Sequence, residues 1–334
     1  MLKIGVIGLG DISKIHIPVI QSNPDAVLTA VCDLDESLAV AGAAFYTDYR
    51  EMLATETLDC VHICLPHHLH YEATKACVEK GVHVFQEKPL ALNAKEGGSL
   101  VELEKRYKDV KICICLQNRL NETVEKLQEI VESGEYGRVL GIKGLVAWFR
   151  PKAYYDIKPW RGRMDLAGGG VMINQALHTM DLMQLFGGEL VKIKGSIDQL
   201  LDYGIEVEDT ATANMQFTNG ATGLLFATNA NSVNSSVELQ VILEKGKFTI
   251  KDSILTQSDD DGRKEIIIED EKLPGTKFYY GASHAKLINL FYDCIKNDTD
   301  QYIHAKDAQT SMEMIQAIRD SSEDRKEIAM EVYQ

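Results

Sequence analysis

Three groups of residues have the types and spacing for chemistry. The stretch VHVFQEKP, Val82 to Pro89, leaves an apolar strand through Glu87 and Lys88 and closes on Pro89. In an open α/β sheet, ligands lie beyond the carboxyl ends of the strands. An ammonium held there by a proline-stiffened exit can hydrogen-bond a substrate hydroxyl and stabilise the alkoxide that develops on it. A surface Glu–Lys ion pair is the plain alternative. In GGGVMINQALH, Asn174 and His178 are four apart and share a helical face, one turn after Gly168, Gly169 and Gly170, which are expected to leave the helix N-terminus open to a ligand. The third group, GLGDIS, supplies Gly8, Gly10 and Ser13 where a first strand hands over to a helix, with Asp33 about 20 residues further on.

That third pattern suits a dinucleotide. The first glycine permits a tight turn, the second lets the backbone approach a pyrophosphate, and a carboxylate at the next strand end accepts ribose hydroxyls. Gly8, Gly10, Asp11, Ile12, Ser13 and Asp33 are therefore candidate cofactor residues. Leu34, Asp35 and Glu36 follow in place of an arginine that could hold a 2′-phosphate, which favours NAD over NADP. S-adenosylmethionine is the alternative ligand for the same glycines and acid.

The elements that must position these residues alternate in type. Apolar runs at KIGVIG, around Ala30 up to Asp33, LDCVHICLP, VHVFQEKP and KICICLQ read as five strands, with helical segments such as Tyr71–Lys80 and Ala94–Tyr107 between them. Strands apolar on both faces, alternating with helices, predict a parallel sheet covered on both sides. After a helix near Asn121–Ser133 the pattern changes. Alternation from Val139 to Phe149, the helix ending at Gly187, and strands from Val191 to about Glu269 joined by Asn-Gly, Lys-Gly and Asp-Gly turns predict successive hairpins. Helical segments near His284–Lys296 and Lys306–Asp320 close the chain.

Composition narrows the class. The 334 residues, 45% hydrophobic, carry more core than one typical domain, and a net charge of −15 argues against nucleic acid or an anionic membrane as partner. No apolar run is long enough for a membrane span and a strand follows Met1 closely, so a cytoplasmic enzyme is expected. Seven cysteines, among them Cys32, Cys60, Cys64, Cys113 and Cys115 in strand-like runs, fit free buried thiols. No metal is expected: Cys113 and Cys115 lack a second pair nearby, and His67, His68 and His70 lack a carboxylate at ligand spacing.

The order GVIGLGDIS, HICLPHHLHYEATKACVEKGVHVFQEKP, QNR, ESGEYGRV and WRGRMDLAGGGVMINQALHTMDL resembles the Gfo/Idh/MocA family, the relatives of glucose-fructose oxidoreductase and inositol dehydrogenase, over essentially the whole chain. The resemblance implies an α/β fold. An N-terminal Rossmann domain with a doubly wound parallel sheet spans residues 1–120, and an α+β domain on an open, mostly antiparallel sheet spans residues 121–334, its final helices packing back on the first. It implies hydride transfer between NAD and a secondary alcohol of a sugar, sugar derivative or cyclitol. Lys88 would stand at the reacting oxygen, with His178 as the proton-transfer residue. Asn174 occupies a position where many members have Asp, so a simple carboxylate–imidazole relay is not implied, and proton transfer by Lys88 with His178 orienting stays open.

The same resemblance places Leu65, Pro66, His67, His70, Glu87, Lys88 and Gln117 along the cofactor groove. It makes Trp160 and Arg161, and also Tyr280 and His284, substrate contacts: an indole face suits the C–H face of a sugar, and arginine suits hydroxyls or a carboxylate. A homodimer or homotetramer through the C-terminal sheet is implied. Two other functions stay open: glycoside cleavage through a transient oxidation, and a non-catalytic dinucleotide-binding regulator.

Overall fold

The computed structural model describes residues 1–259, 262–271 and 282–330. The chain divides into two compact units, residues 1–117 with 282–309, and residues 118–281 with 310–334.

The first unit is built on six parallel strands, β1 (Leu2–Ile7), β2 (Ala26–Cys32), β3 (Ala44–Tyr46), β4 (Cys60–Ile63), β5 (His83–Gln86) and β6 (Ile112–Ile114). Their spatial order is β3-β2-β1-β4-β5-β6. That is the doubly wound arrangement, and the strand order reverses between β1 and β4. The edge strand β3 adds a sixth to the five expected; it has three residues, none of them buried, so no apolar run announces it. Helices α1 (Ser13–Ser22), α2 (Tyr49–Thr55), α3 (His70–Glu79) and α4 (Ala94–Arg106) alternate with the strands. A helix at Ser283–Asn297, late in the chain, belongs to this unit as well. Ile4, Val6, Ile63, Val84, Phe85 and Ile112 are fully buried, as strands covered on both faces require. All seven cysteines are free and buried.

The second unit carries α5 (Glu122–Glu132), β7 (Val139–Ala147), the short helices α6 (Lys152–Asp156) and α7 (Met164–Ala167), and α8 (Leu177–Gly187). Strands β8 (Leu190–Asp198), β9 (Thr210–Phe217), β10 (Thr222–Thr228), β11 (Glu238–Leu243), β12 (Gly246–Lys251), β13 (Ile254–Ser258), β14 (Lys264–Glu269) and β15 (Ile328–Ala329) complete a nine-stranded sheet. Its order is β14-β13-β12-β11-β7-β10-β9-β8-β15. The hairpins are antiparallel as the turns predict, but β10 lies parallel to β7, with Leu224 opposite Lys143 and Phe226 opposite Leu145. Successive hairpins cannot produce that pair; β7 arrives from far upstream and is inserted between β11 and β10. Alternation along β9 and β10 buries one face, including Ala213, Met215 and Leu225.

Candidate functional site

At the switch point of the first sheet, the turn after β1 is held from both sides. Gly8 has φ +89°, and a Cβ on it would stand 2.7 Å from the Cys64 carbonyl oxygen at the end of β4. Gly10 has open space where a side chain would be. The Ser13 hydroxyl, in the place of a third glycine, donates to Gly10 O at 2.8 Å and is buried. Asp33, just past β2, accepts from Leu9 N at 2.6 Å and from Asp35 N at 3.1 Å. The carboxylate thus fixes the turn with one bond per oxygen and keeps acceptor capacity on each.

The exits of β4 and β5 are braced by His70. Its ring is completely buried, with Nδ1 2.7 Å from Pro89 O and Nε2 2.8 Å from Leu65 O. This corrects the expected cofactor contact: His70 is a strut between two strand exits. His67 is also buried, while Leu65 and Pro66 remain partly open. Gln117 is buried and its Oε1 receives the Cys115 thiol, so it too faces inward from the groove position expected for it.

Glu87 and Lys88 are adjacent but have different surroundings. Successive side chains of an extended segment point to opposite sides, and Glu87 is buried while Lys88 is half-buried. Glu87 Oε1 lies 2.9 Å from His16 Nε2 and 3.8 Å from His284 Nε2. Beyond His16 the chain of contacts continues through His62 Nδ1 at 2.8 Å to the Tyr292 hydroxyl, 2.7 Å from His62 Nε2. Burial opposes the charge on Glu87, yet the His16 hydrogen bond and charge hold its pKa well below the usual range. Burial likewise opposes the imidazolium of His16, but Cys64 and Glu87 outweigh it and push His16 up to about 10. Burial drives His62 well below 6.5 and His284 down to about 4, so both are neutral near pH 7. The donor atoms of His16, Glu87 and Cys115 lie within 4.8 Å of one another.

Two expectations change here. The Glu87 carboxylate serves a buried ion pair rather than the groove surface. His284, 1% exposed, packs beside Glu87 and has no face for a substrate. The sequence carried no sign of this network, because His16, His62 and Tyr292 each read as a single polar residue in an apolar element. Tyr280 lies outside the described residues.

In the second unit, the glycines before Asn174 do not leave an open helix end. A Cβ on Gly170 would stand 1.8 Å from Glu208 O, and one on Gly169, at φ +149°, would meet the Arg319 guanidinium. The buried Glu208 carboxylate accepts from Gly170 N at 3.0 Å and Met172 N at 3.2 Å, filling the N-terminus where a ligand was expected. Residues Met172–Ala176 form a π-turn that runs into α8, so Asn174 lies in a widened coil ahead of His178. Such insertions are frequent at functional sites. Asn174 and His178 are both half-buried. Three residues past His178, the fully buried Asp181 takes a bidentate pair from Arg119 at 2.9 and 2.6 Å, anchoring the helix. Trp160 and Arg161 are half-buried in the 3₁₀ turn Pro159–Gly162, with Arg161 Cζ 4.1 Å from the centre of the Tyr154 ring.

A family model described as an oxidoreductase family with an NAD-binding Rossmann fold matches residues 2–115. A GFO/IDH/MocA C-terminal domain model matches residues 124–249. The chain belongs to the GFO/IDH/MocA oxidoreductase family. It is 25% identical to the myo-inositol 2-dehydrogenase of Thermotoga maritima over 99% of both chains. It is 24% identical to the levoglucosan dehydrogenase of Pseudarthrobacter phenanthrenivorans, over 72% of this chain and 71% of that one. The WlbA dehydrogenase from Bordetella pertussis, solved in complex with NADH and UDP-GlcNAcA, matches with a TM-score of 0.85 at 26% identity over 99% of each chain.

For a GFO/IDH/MocA oxidoreductase the first unit must accept NAD, and its own residues fit that cofactor. Ile12 at the N-cap of α1 offers no side-chain acceptor, and the bare Gly10 lets a pyrophosphate approach the start of the helix. Leu34, 88% exposed, stands next to Asp35 and Glu36, whose charge disfavours a 2′-phosphate beside Asp33. Among the described residues, no helix is long and apolar enough to cross a membrane.

Proposed function

We propose that this oxidoreductase interconverts a secondary alcohol and a ketone on a sugar, sugar derivative or cyclitol. Bound NAD supplies the hydride acceptor. Gly8, Gly10, Asp11, Ile12 and Ser13 form its pyrophosphate turn, Asp33 takes the ribose hydroxyls, and Leu65, Pro66 and His67 line the strand exit beside it. Lys88 hydrogen-bonds the reacting oxygen and stabilises negative charge on it. His178 takes the alcohol proton, and the Asn174 amide orients its partners without adding charge.

One observation supports this reading above the others. Within the first unit, Lys88 leaves β5 at the carboxyl edge of the sheet that holds the NAD turn, while the neighbouring Glu87 charge is already matched internally by His16. Named relatives that act on inositol and levoglucosan support a polyhydroxylated substrate class.

The test is a panel of sugars, inositols and sugar acids incubated with NAD while reduced nicotinamide is followed by absorbance. A positive compound is expected, and Lys88→Ala is expected to lower kcat by about 10²- to 10³-fold. Absence of NAD reduction across the panel, or a Lys88→Ala enzyme as fast as the parent, removes the proposal. We also propose that a second copy of the chain covers the outer face of the nine-stranded sheet, where Leu224 and Phe226 are 49% and 38% exposed.

A further inference from the structure

Five side chains of the second unit alternate aromatic and guanidinium groups. Arg150 Cζ lies 4.5 Å from the centre of the Trp148 ring and 5.4 Å from that of Tyr154. On Tyr154, Arg161 Cζ lies at 4.1 Å, and the same group is 5.9 Å from the Trp160 ring. We propose that this Trp148–Arg150–Tyr154–Arg161–Trp160 ladder is a substrate subsite for an anionic group, a carboxylate or a phosphate, carried by the sugar. The inference rests on the dehydrogenase reading and narrows its substrate class.

Pairing separates these two arginines from their neighbours. Lys152 is matched by Asp156 at 2.6 Å and Arg163 by Asp165 at 2.6 Å. Neither Arg150 nor Arg161 has a carboxylate partner among the described residues, in a chain whose net charge is −15. Their hydrogen bonds to protein use Nη1 alone: Arg150 donates to Phe149 O and Asn234 Oδ1, and Arg161 to Tyr154 O. Stacking on a ring occupies the face of a guanidinium and leaves the N–H edge available, the edge that meets carboxylate or phosphate with two parallel bonds. All five residues are half-buried, so an arriving anion is partly shielded from water.

The ladder is also wired to the proposed catalytic helix. Gln175, next to Asn174 in the π-turn, donates from Nε2 to the Tyr154 hydroxyl at 3.2 Å. Its Oε1 accepts from Asn229 at 3.0 Å, and Asn229 also reaches the Tyr155 hydroxyl at 3.4 Å. The ring that carries both arginines is therefore fixed to the coil that presents Asn174.

The chain has two tryptophans, and both belong to the ladder. Intrinsic tryptophan emission consequently reports on this locus directly, without NAD turnover. The full chain is titrated with glucose, glucuronate and glucose 6-phosphate at constant ionic strength. A saturable emission change with glucuronate alone assigns a carboxylate, one with glucose 6-phosphate alone assigns a phosphate, and both acids acting assigns a general anion subsite. Arg150→Gln and Arg161→Gln are expected to weaken the effective acid roughly tenfold or more, with the thermal melt checking that each variant is folded. An equal response to glucose, no saturable response to either acid, or undiminished binding in both folded variants overturns the proposal. A chain that binds the acid yet reduces no NAD keeps this subsite and loses the dehydrogenase reading.

Discussion

His16 and Glu87 form an ion pair at 2.9 Å inside the first unit, with His16 fully buried and Glu87 7% exposed. Removing one member of such a pair leaves the other charge buried and uncompensated, which costs about 3–5 kcal/mol. His16→Ala and Glu87→Gln should each destabilise by roughly that amount in chemical denaturation, and the double variant should lose distinctly less than the sum of the two. Additive losses would show that the two side chains do not act as a pair.

The same pair sets a pH window. His16 is raised from 6.5 to about 10, so the stability it contributes is complete below pH 6.5 and is lost as pH climbs toward 10. Glu87 is lowered from 4.5, so its contribution is complete above pH 4.5 and is lost as pH falls through its depressed value. Melting temperatures of the parent chain should therefore fall as pH rises from 6.5 toward 10, and His16→Ala should flatten that alkaline fall, while below pH 6.5 the buried neutral rings of His62 and His284 lower stability as they are forced to take up protons. A parent chain whose alkaline slope is unchanged in the variant argues for a neutral His16.

Among the described glycines Gly170 has the least room: a Cβ there would stand 1.8 Å from a backbone oxygen of Glu208, which no side-chain rotation can relieve. Gly170→Ala should cost about 3 kcal/mol. Gly10→Ala, with open space around the Cβ, should leave the unliganded fold nearly as stable while weakening NADH binding. Denaturation curves for both, with NADH titration of the second, separate packing from cofactor approach. Equal stability losses would contradict the assignment.

These two glycines also mark what the sequence made legible. Gly8, Gly10, Ser13 and Asp33 announce their roles because the turn, the helix start and the strand end are local and carry a fixed spacing. The exit at Glu87-Lys88-Pro89 was readable as a place for the same reason, but the direction of Glu87 was not, since it depends on His16, 71 residues away. The closed end at Gly168–Gly170 depends on Glu208, 38 residues from Gly170. Periodicity reports which face of an element is apolar. It does not report which distant polar group will fill a helix end, lie parallel to a strand, or neutralise a buried acid.

Asp33 has two duties that one substitution can separate. Its oxygens hold Leu9 N and Asp35 N, and its charge is proposed to receive the ribose hydroxyls of NAD. Asp33→Asn keeps an acceptor for Leu9 and removes the charge. NADH should bind about tenfold more weakly to the variant, discrimination against NADPH should shrink, and the melt without cofactor should move little. If NADH affinity holds and only the melt drops, Asp33 is a structural tether alone.

The outer face of the nine-stranded sheet supplies a last prediction. Leu224 and Phe226 alternate on the exposed side of β10, and Phe226 lies opposite Leu145 of β7 in register. Apolar side chains side by side on a sheet face lose water when a second subunit covers them, and a charge among them opposes that burial. Sedimentation of the parent chain should give a dimer or tetramer, and Phe226→Asp should shift it toward monomer without changing its far-ultraviolet circular dichroism. Because Phe226 stands on the exposed face and packs no core, a lower mass would report lost assembly rather than unfolding. A parent chain that sediments as a monomer at micromolar concentration would leave that face to water.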